Sequence, residues 1–567
     1  MSVRRSLVAV VMAAAVLVLA ACTGLPTSGQ VYAGRDAAEQ VESPDFSFIP
    51  DRPQPGATPE QIVDGFIRAG SGPAGEWARA NLFLAPGAEW DPWATVTVDV
   101  QGSREVVEVE PATASPDDTH STVTAEITPV ANVDNRGVYS PSESVVASTL
   151  PFQLEKQPDG EWRITEAPDG VVLDQNLFTT VYRHYSLMFF DPTWQFLVPD
   201  VRWFPRVKVA STIATQLAAG PAEWLTGAVG SGFTDGTLVT SSVVTSNVAD
   251  VALSVDAQTL DTETIDRMQT QLTASLAAAG VSEVRMSADG VPLTASIVPV
   301  RSTTVAAAPL VLTETDFGFL GGDALVPIPG LSDAMMSVTP APVSAQMSPD
   351  RDFAAVRLEG GGVSRVEARG DVVPLDTRAG LIDPTVDAFG YTWSVPRDSP
   401  SGLSAYDPTG VHIDFPTAWS NATQISAMAL SRDGTRLVAL LTGGGRTSVW
   451  VAAVVRNADG VPQSVGVPIV LSESLAAAGG VAWLDGATVG VLGSSGSEPI
   501  VLEQPIGGPS IETDAPASSA TIAGSNQATT VRLRGSDDTL YVKRGTNWQP
   551  LATGIRLLAT QQGTPQQ

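Results

Sequence analysis

SRDGTRLVALL, Ser431 to Leu441, decides the fold of the largest domain of this chain. A Ser and an Asp two positions on fold back onto their own backbone to make a turn, and Arg436 to Leu441 has the composition of a strand. The same arrangement stands 83 positions earlier, where Ser348-Pro349-Asp350 precedes Phe353 to Leu358. That separation is two periods of about 41, the length of one four-stranded propeller blade. Outward from these two copies, short β runs recur at intervals of about 40 residues from Val300 onward, with turn clusters between them and little helical periodicity. Gly390-Tyr391-Thr392 before Trp393 and Gly480-Val481-Ala482 before Trp483 form a looser pair, and Gly535 to Val542 reads as a late hairpin. Residues 297–567 are expected to form an all-β propeller, and this length holds about six blades. Gly360-Gly361-Gly362 and Gly443-Gly444-Gly445 read as hairpin tips rather than phosphate cradles, since no helix follows them.

Residues 199–296 carry the mixed periods of an α/β sandwich. Val207 to Leu217 is helical and is stopped by Gly220-Pro221, Leu238 to Val244 reads as a strand, and Asn247 to Asp250 turns the chain into Val251, Leu253 and Val255. Thr264 is placed to cap a second helix whose Ile265, Met268, Leu272 and Leu276 share a stripe, with Gly280 behind it. Residues 181–198, VYRHYSLMFFDPTWQFLV, form an aromatic connector, and because aromatics bury large areas it is expected at a seam between domains. Residues 48–180 read as an α+β domain. Thr58-Pro59-Glu60-Gln61 is a capping box opening a helix whose Ile62, Val63, Phe66 and Ile67 share one face, up to Gly70. A second short helix is expected around Ala78 to Leu84. Period-two strands follow at Val96 to Val100, Val106 to Val109, Thr122 to Ile127 and Val145 to Leu154, and Pro158-Asp159-Gly160 turns a hairpin back to Trp162 and Ile164.

The chain begins with a basic pair, Arg4 and Arg5, and an apolar run, Leu7 to Leu19, that ends in Leu19-Ala20-Ala21-Cys22. This is a secretory signal. Its end resembles the lipobox of bacterial lipoproteins, which implies that residues 1–21 are removed and that Cys22 becomes the first residue, S-diacylglycerated on its thiol and N-acylated (palmitate) on its new amine. Each buried CH₂ adds about 0.8 kcal/mol, so two or three chains anchor far more firmly than one. Cys22 is the only cysteine of 567 residues, so no disulfide forms within the chain. Residues 22–47 are rich in Gly, Pro, Ser and acids and read as a linker with a reach of roughly 85 Å.

Charge narrows the partners. There are 32 Lys and Arg against 61 Asp and Glu, a net −29, and removal of Arg4 and Arg5 takes it to −31. Nucleic acid is a poor partner on this balance, and so are anionic lipid head groups, so a link to the membrane has to be covalent. Three histidines are present. His120 follows Asp117 and Asp118 in a polar turn, His184 lies in the aromatic connector, and His412 sits beside Asp414 in a strand. None has the setting of a catalyst. The H-E-x-x-H, P-loop and G-x-S-x-G patterns are all missing, so no metal, no cofactor and no catalytic residue is expected. Acids at turns and strand edges have solvation as their ordinary explanation, although a carboxylate pair in the propeller channel would make a glycan-cleaving enzyme.

Two resemblances sharpen this reading. The order WFPRV, ATQLAAGP, NVADVALSVDA, a long helix and GVSEVRMSADGVPL is similar to the GerMN domain of spore-germination and related lipoproteins. Over nearly the whole chain, LAACTGLPTSG, FIPDRPQPGATPEQIVDGFIRA and SPDRDFAAV resemble the actinobacterial lipoprotein LpqB family. That resemblance implies a non-enzymatic accessory, lipid-anchored on the extracytoplasmic face of the cell membrane. Its partner would be the sensor kinase of an MtrA-MtrB-type two-component system, with cell-wall homeostasis and division as outputs. Only Cys22 carries over as a functional residue. The alternative is a lipoprotein that contacts the cell wall, binding or processing its glycan.

Overall fold

Six blades of four or five strands succeed one another along the C-terminal half and close into a ring, the first two joined through the last strand of the chain. A computed structural model describes residues 49–109, 119–142, 145–234, 236–322 and 324–565. The signal peptide, the linker and Cys22 lie outside the described residues.

The first blade takes its innermost strand from the far end of the chain. Leu557–Gln561 pairs antiparallel with Leu310–Leu312, which leads outward to Phe317–Gly321 and Ala324–Pro327. The same closing strand runs parallel to Pro342–Met347, the inner strand of the second blade, with Gln346 opposite Thr560. Four further sheets begin at Thr385–Val386, Gln424–Leu430, Ala477–Trp483 and Ser519–Ala523. The fourth is longer by one strand, Ile469–Leu475, which also pairs with Arg446–Arg456. The expected six-bladed propeller is therefore present among the described residues.

Both Ser-x-Asp turns join an inner strand to its second strand. In the later copy the Ser431 hydroxyl donates to Asp433 at 2.7 Å, and the backbone N–H of Arg436 donates to Ser431 at 3.0 Å. The Arg436 guanidinium reaches Asp433 at 2.5 Å, and both side chains are buried. In the earlier copy Ser348 donates instead to Asp352, while Asp350 is exposed and faces Arg301 at 3.9 Å. The repeat preserves the turn but moves the carboxylate by two residues. The looser tryptophan pair is no repeat at all: Trp393 lies in a second strand and Trp483 ends an inner one. A short helix, Leu331–Ser337, also stands between the first two blades, where sequence periodicity indicated only strands.

The N-terminal domain packs the helix Pro59–Ala69 against two sheets. The Thr58 and Gln61 side chains each accept a hydrogen bond from the other's backbone N–H, completing the capping box, and Ile62, Val63, Phe66 and Ile67 are buried. The strands Glu105–Val109, His120–Ile127, Ser148–Lys156 and Trp162–Glu166 form a meander. The second sheet orders Tyr139–Pro141, Pro129–Asp134, Thr95–Asp99 and Val171–Asp174. In place of a helix over 78–84 there are two single turns, Ala74–Trp77 and Ala80–Phe83. Positive φ at Gly75 and Glu76 breaks the helix there, and buried Trp77 donates its indole N–H to the Gly70 carbonyl at 2.8 Å.

In the α/β unit, Val248–Leu253 and Glu283–Ala288 run parallel, joined by the helix Thr262–Leu276. Its cap is Asp261 rather than Thr264. The Asp261 carboxylate accepts from the Thr264 N–H and hydroxyl, because a carboxylate three residues earlier reaches the first-turn donors that Thr264 itself needs satisfied. The aromatic run is itself a strand, Tyr182–Phe190, paired over nine residues with Leu197–Pro205.

Asp433 makes the propeller's stability pH-dependent. Burial alone would raise its pKa, but Arg436 and the hydroxyls of Thr435 and Ser431 outweigh this and hold it below the ordinary carboxylate value. A depressed carboxyl stabilises above its unfolded pKa, near 4, and this contribution is lost as pH falls through the lower folded value. Asp433→Ala strands Arg436 in the core, so chemical denaturation at pH 7 should show a loss of about 3–5 kcal/mol. The gap between variant and parent should narrow on acidification to about pH 3.

Candidate functional site

The strand Leu197–Pro205 is buried along nearly its whole length, which requires each polar group on it to find a partner inside the protein. Arg202 and Asp200 pair bidentately at 3.0 and 2.6 Å and are almost entirely inaccessible. Their remaining donors and acceptors tie the domains together. Asp200 accepts the backbone N–H of Ala222 at 2.8 Å, in the α/β unit, and Arg202 donates to the Arg136 carbonyl at 2.8 Å, in the N-terminal domain. Trp203 donates its indole N–H to Gly507 of the propeller at 2.8 Å, and Arg436 approaches the Pro199 carbonyl. Gly137 has φ +83°, and a Cβ there would lie 2.5 Å from Phe204, so this contact needs glycine on two counts.

The strand's neighbours extend the seam. Phe196 meets Phe389 edge-on at 6.1 Å, with Arg301 over its other side. Leu225 and Ala228, with Trp224, pack against Ala453 and Val455 of the fourth blade. The seam expected of the aromatic run exists and is shared by all three domains.

The second feature is the propeller channel, with about 1050 Å³ of space continuous with solvent. Its walls are inner strands, and its lining includes Ser344, Gln346, Gly479 and Thr521. At the end facing the seam, Arg432 donates to the carbonyls of Thr303, Trp483 and Ser525. The segment following the α/β unit lies across this end, where Val305 and Asn526 exchange two hydrogen bonds and Ala306 donates to Gln561. Asp383, Arg534 and Arg556 line the channel as well. Arg556 directly precedes an inner strand, Asp383 stands two residues before another, and Arg534 nears the end of a second strand, which places all three toward the opposite, open end.

Of the residues singled out in the sequence, Cys22 lies outside the described residues. His120 opens a strand rather than sitting in a turn, His184 stands 5.4 Å from the Trp203 ring, and His412 is exposed, 3.7 Å from Asp414. The structure brings none of the three together with another histidine. The lining holds one carboxylate, Asp383, which is paired with Arg357 at 2.7 Å, so the carboxylate pair required by the glycan-cleaving alternative is not assembled there. Among the described residues no group of three or more His, Cys, Asp and Glu is placed to hold a metal ion, and no helix is long and apolar enough to cross a membrane. Sequence reasoning missed Arg534 and Arg556, which no local pattern marks. It found Arg432 only as the middle of a turn.

Fold and seam define a three-domain β-propeller protein whose domains share one buried strand. Family profiles match each part: "Lipoprotein LpqB, N-terminal domain" over residues 52–179, "Sporulation and spore germination" over 186–294 and "Lipoprotein LpqB beta-propeller domain" over 315–557. Lipoprotein LpqB of Rhodococcus opacus is 25% identical over 80% of both chains, and that of Mycobacterium tuberculosis is 28% identical over 75% of this chain and 77% of its own. The match to Lipoprotein LpqB of Rhodococcus jostii is 30% identical and spans 42% of this chain and 38% of that one. The chain belongs to the LpqB lipoprotein family.

Because one ion pair links two domains, its loss should uncouple them. Arg202→Ala leaves the Asp200 carboxylate buried without its cation and should cost about 3–5 kcal/mol. Calorimetry should resolve separate transitions in the variant where the parent unfolds in one.

Proposed function

We propose that this chain is a lipid-anchored accessory on the extracytoplasmic face of the cell membrane, acting by binding rather than by chemistry on the ectodomain of an MtrB-like sensor kinase. The observation that carries the reading is family membership across all three domains, joined to the lipobox ending at Cys22. The seam supports it, since a body whose domains are locked together can transmit a preference between two shapes of a partner. Confinement to one membrane surface raises the effective concentration of accessory and kinase without adding a contact. If the body binds one kinase conformer better, it shifts the population by that difference in affinity and no more. The modulated outputs would be cell-wall homeostasis and division.

The second reading is an envelope protein that binds wall glycan. The open channel favours it over glycan processing, because the channel offers space but no carboxylate pair.

Two outcomes test the proposal. Cys22→Ser should move the protein from the membrane to the soluble fraction and abolish incorporation of labelled fatty acid, whereas retention of both would refute the anchor. Purified mature protein should capture the kinase ectodomain and change autophosphorylation of the reconstituted kinase. Binding to isolated cell wall with no kinase association would favour the second reading.

A further inference from the structure

The channel's charge is opposite to that of the chain. A protein of net −29 places Arg432, Arg534 and Arg556 around one cavity against a single Asp383, whose carboxylate is already committed to Arg357. The three cations are held differently. Arg556 is exposed at the open end, and among the described residues its side chain has no carboxylate or carbonyl partner. Arg534 divides its guanidinium between the Ile555 carbonyl and Asp538. Arg432, at the closed end, is buried against three carbonyls with no carboxylate in contact, and burial pushes its pKa down to about 10, so it remains charged at neutral pH.

The walls add unused polar groups and room. The hydroxyls of Ser344 and Thr521, on inner strands of the second and sixth blades, have no hydrogen-bond partner within the protein. Buried hydroxyls normally find partners, and these two oxygens lie within the channel wall with almost no exposed surface, so they make the wall polar without presenting a ready contact. Four inner strands carry a bulge near their open end, at Val343, Ser426, Gly479 and Ala520. Bulges bend a strand and end regular pairing, and here they recur at the same place in each strand. At Gly479 an added Cβ would meet nothing within 4 Å. The opposite end is crossed by the segment bonded to Arg432, Asn526 and Gln561, so access is from one side.

We propose that the propeller channel binds a small organic anion, a carboxylate- or phosphate-bearing molecule of about monosaccharide size. Arg556, the cation with no carboxylate partner at the mouth, receives its charge, beside an Arg534 already paired with Asp538, and the polar inner-strand walls face its neutral part. Arg432 adds a positive field from the floor, which is stronger inside the cavity than it would be in water. The site goes beyond the kinase reading and does not depend on it.

The test titrates detergent-solubilised mature protein by calorimetry at low ionic strength with glucuronate, glucose 6-phosphate and glucose. At least one anion should bind and glucose should not, and the preferred anion tells whether carboxylate or phosphate is the recognised group. Arg556→Ala should weaken binding by about tenfold or more, the scale of one charge-assisted contact. Gly479→Phe should fill the mouth and abolish binding, with the thermal transition and circular dichroism of both variants unchanged. Absence of binding by either anion up to about 10 mM, equal binding of glucose, or undiminished binding in both variants would overturn the proposal.

Discussion

The buried pair of Asp200 and Arg202 is the constraint on which the three-domain body depends. Taking two charges out of water costs several kcal/mol for each, and their attraction repays this only where geometry is good and the remaining lone pairs and protons are used. Here they are used across domain boundaries: Ala222 donates to Asp200, and Arg136 accepts from Arg202. Moving either neighbouring domain would leave a buried charged group short of a partner. The pair therefore contributes a unique arrangement of domains more than it contributes raw stability.

Side chains along the hairpin are distributed among the cores in turn. Tyr182 and Trp203 pack in the N-terminal core, Tyr185, Leu187, Phe189 and Phe204 in that of the α/β unit. Phe196 and the indole N–H of Trp203 reach the propeller. One hairpin thus serves as the shared wall of three domains, and residues Ile49–Gln567 behave as one compact unit. A contact made on any one of these domains is thereby connected to the other two through the shared strands. The ring is held in the same spirit, since the last strand of the chain completes the first blade and so makes closure depend on the whole propeller having formed.

Local patterns were legible wherever a short segment determines its own structure. The capping box at Thr58 and Gln61, the turn at Pro158-Asp159-Gly160 and the left-handed Gly280 depend on neighbours within a few residues, and each stands where periodicity and turn chemistry place it. The 83-residue spacing between Ser348 and Ser431 likewise followed from a repeat of one blade geometry. Errors arose where residues close in sequence offered two competing local options and one outcompeted the other. Trp77 bonding back to Gly70 replaced a helix by two turns, Asp261 took the cap from Thr264, and Asp352 replaced Asp350 in the earlier turn.

By itself the sequence determined the blade period and the identity of the family, because these are written in contiguous residues. Only the tertiary structure decided that an aromatic run is a strand shared by three cores, and that arginines far apart in the chain meet around one channel. The physical reason is that burial, charge pairing and cavity lining are properties of side chains brought together from distant parts of the chain, such as Gln346 beside Thr560, and no local spacing encodes that meeting.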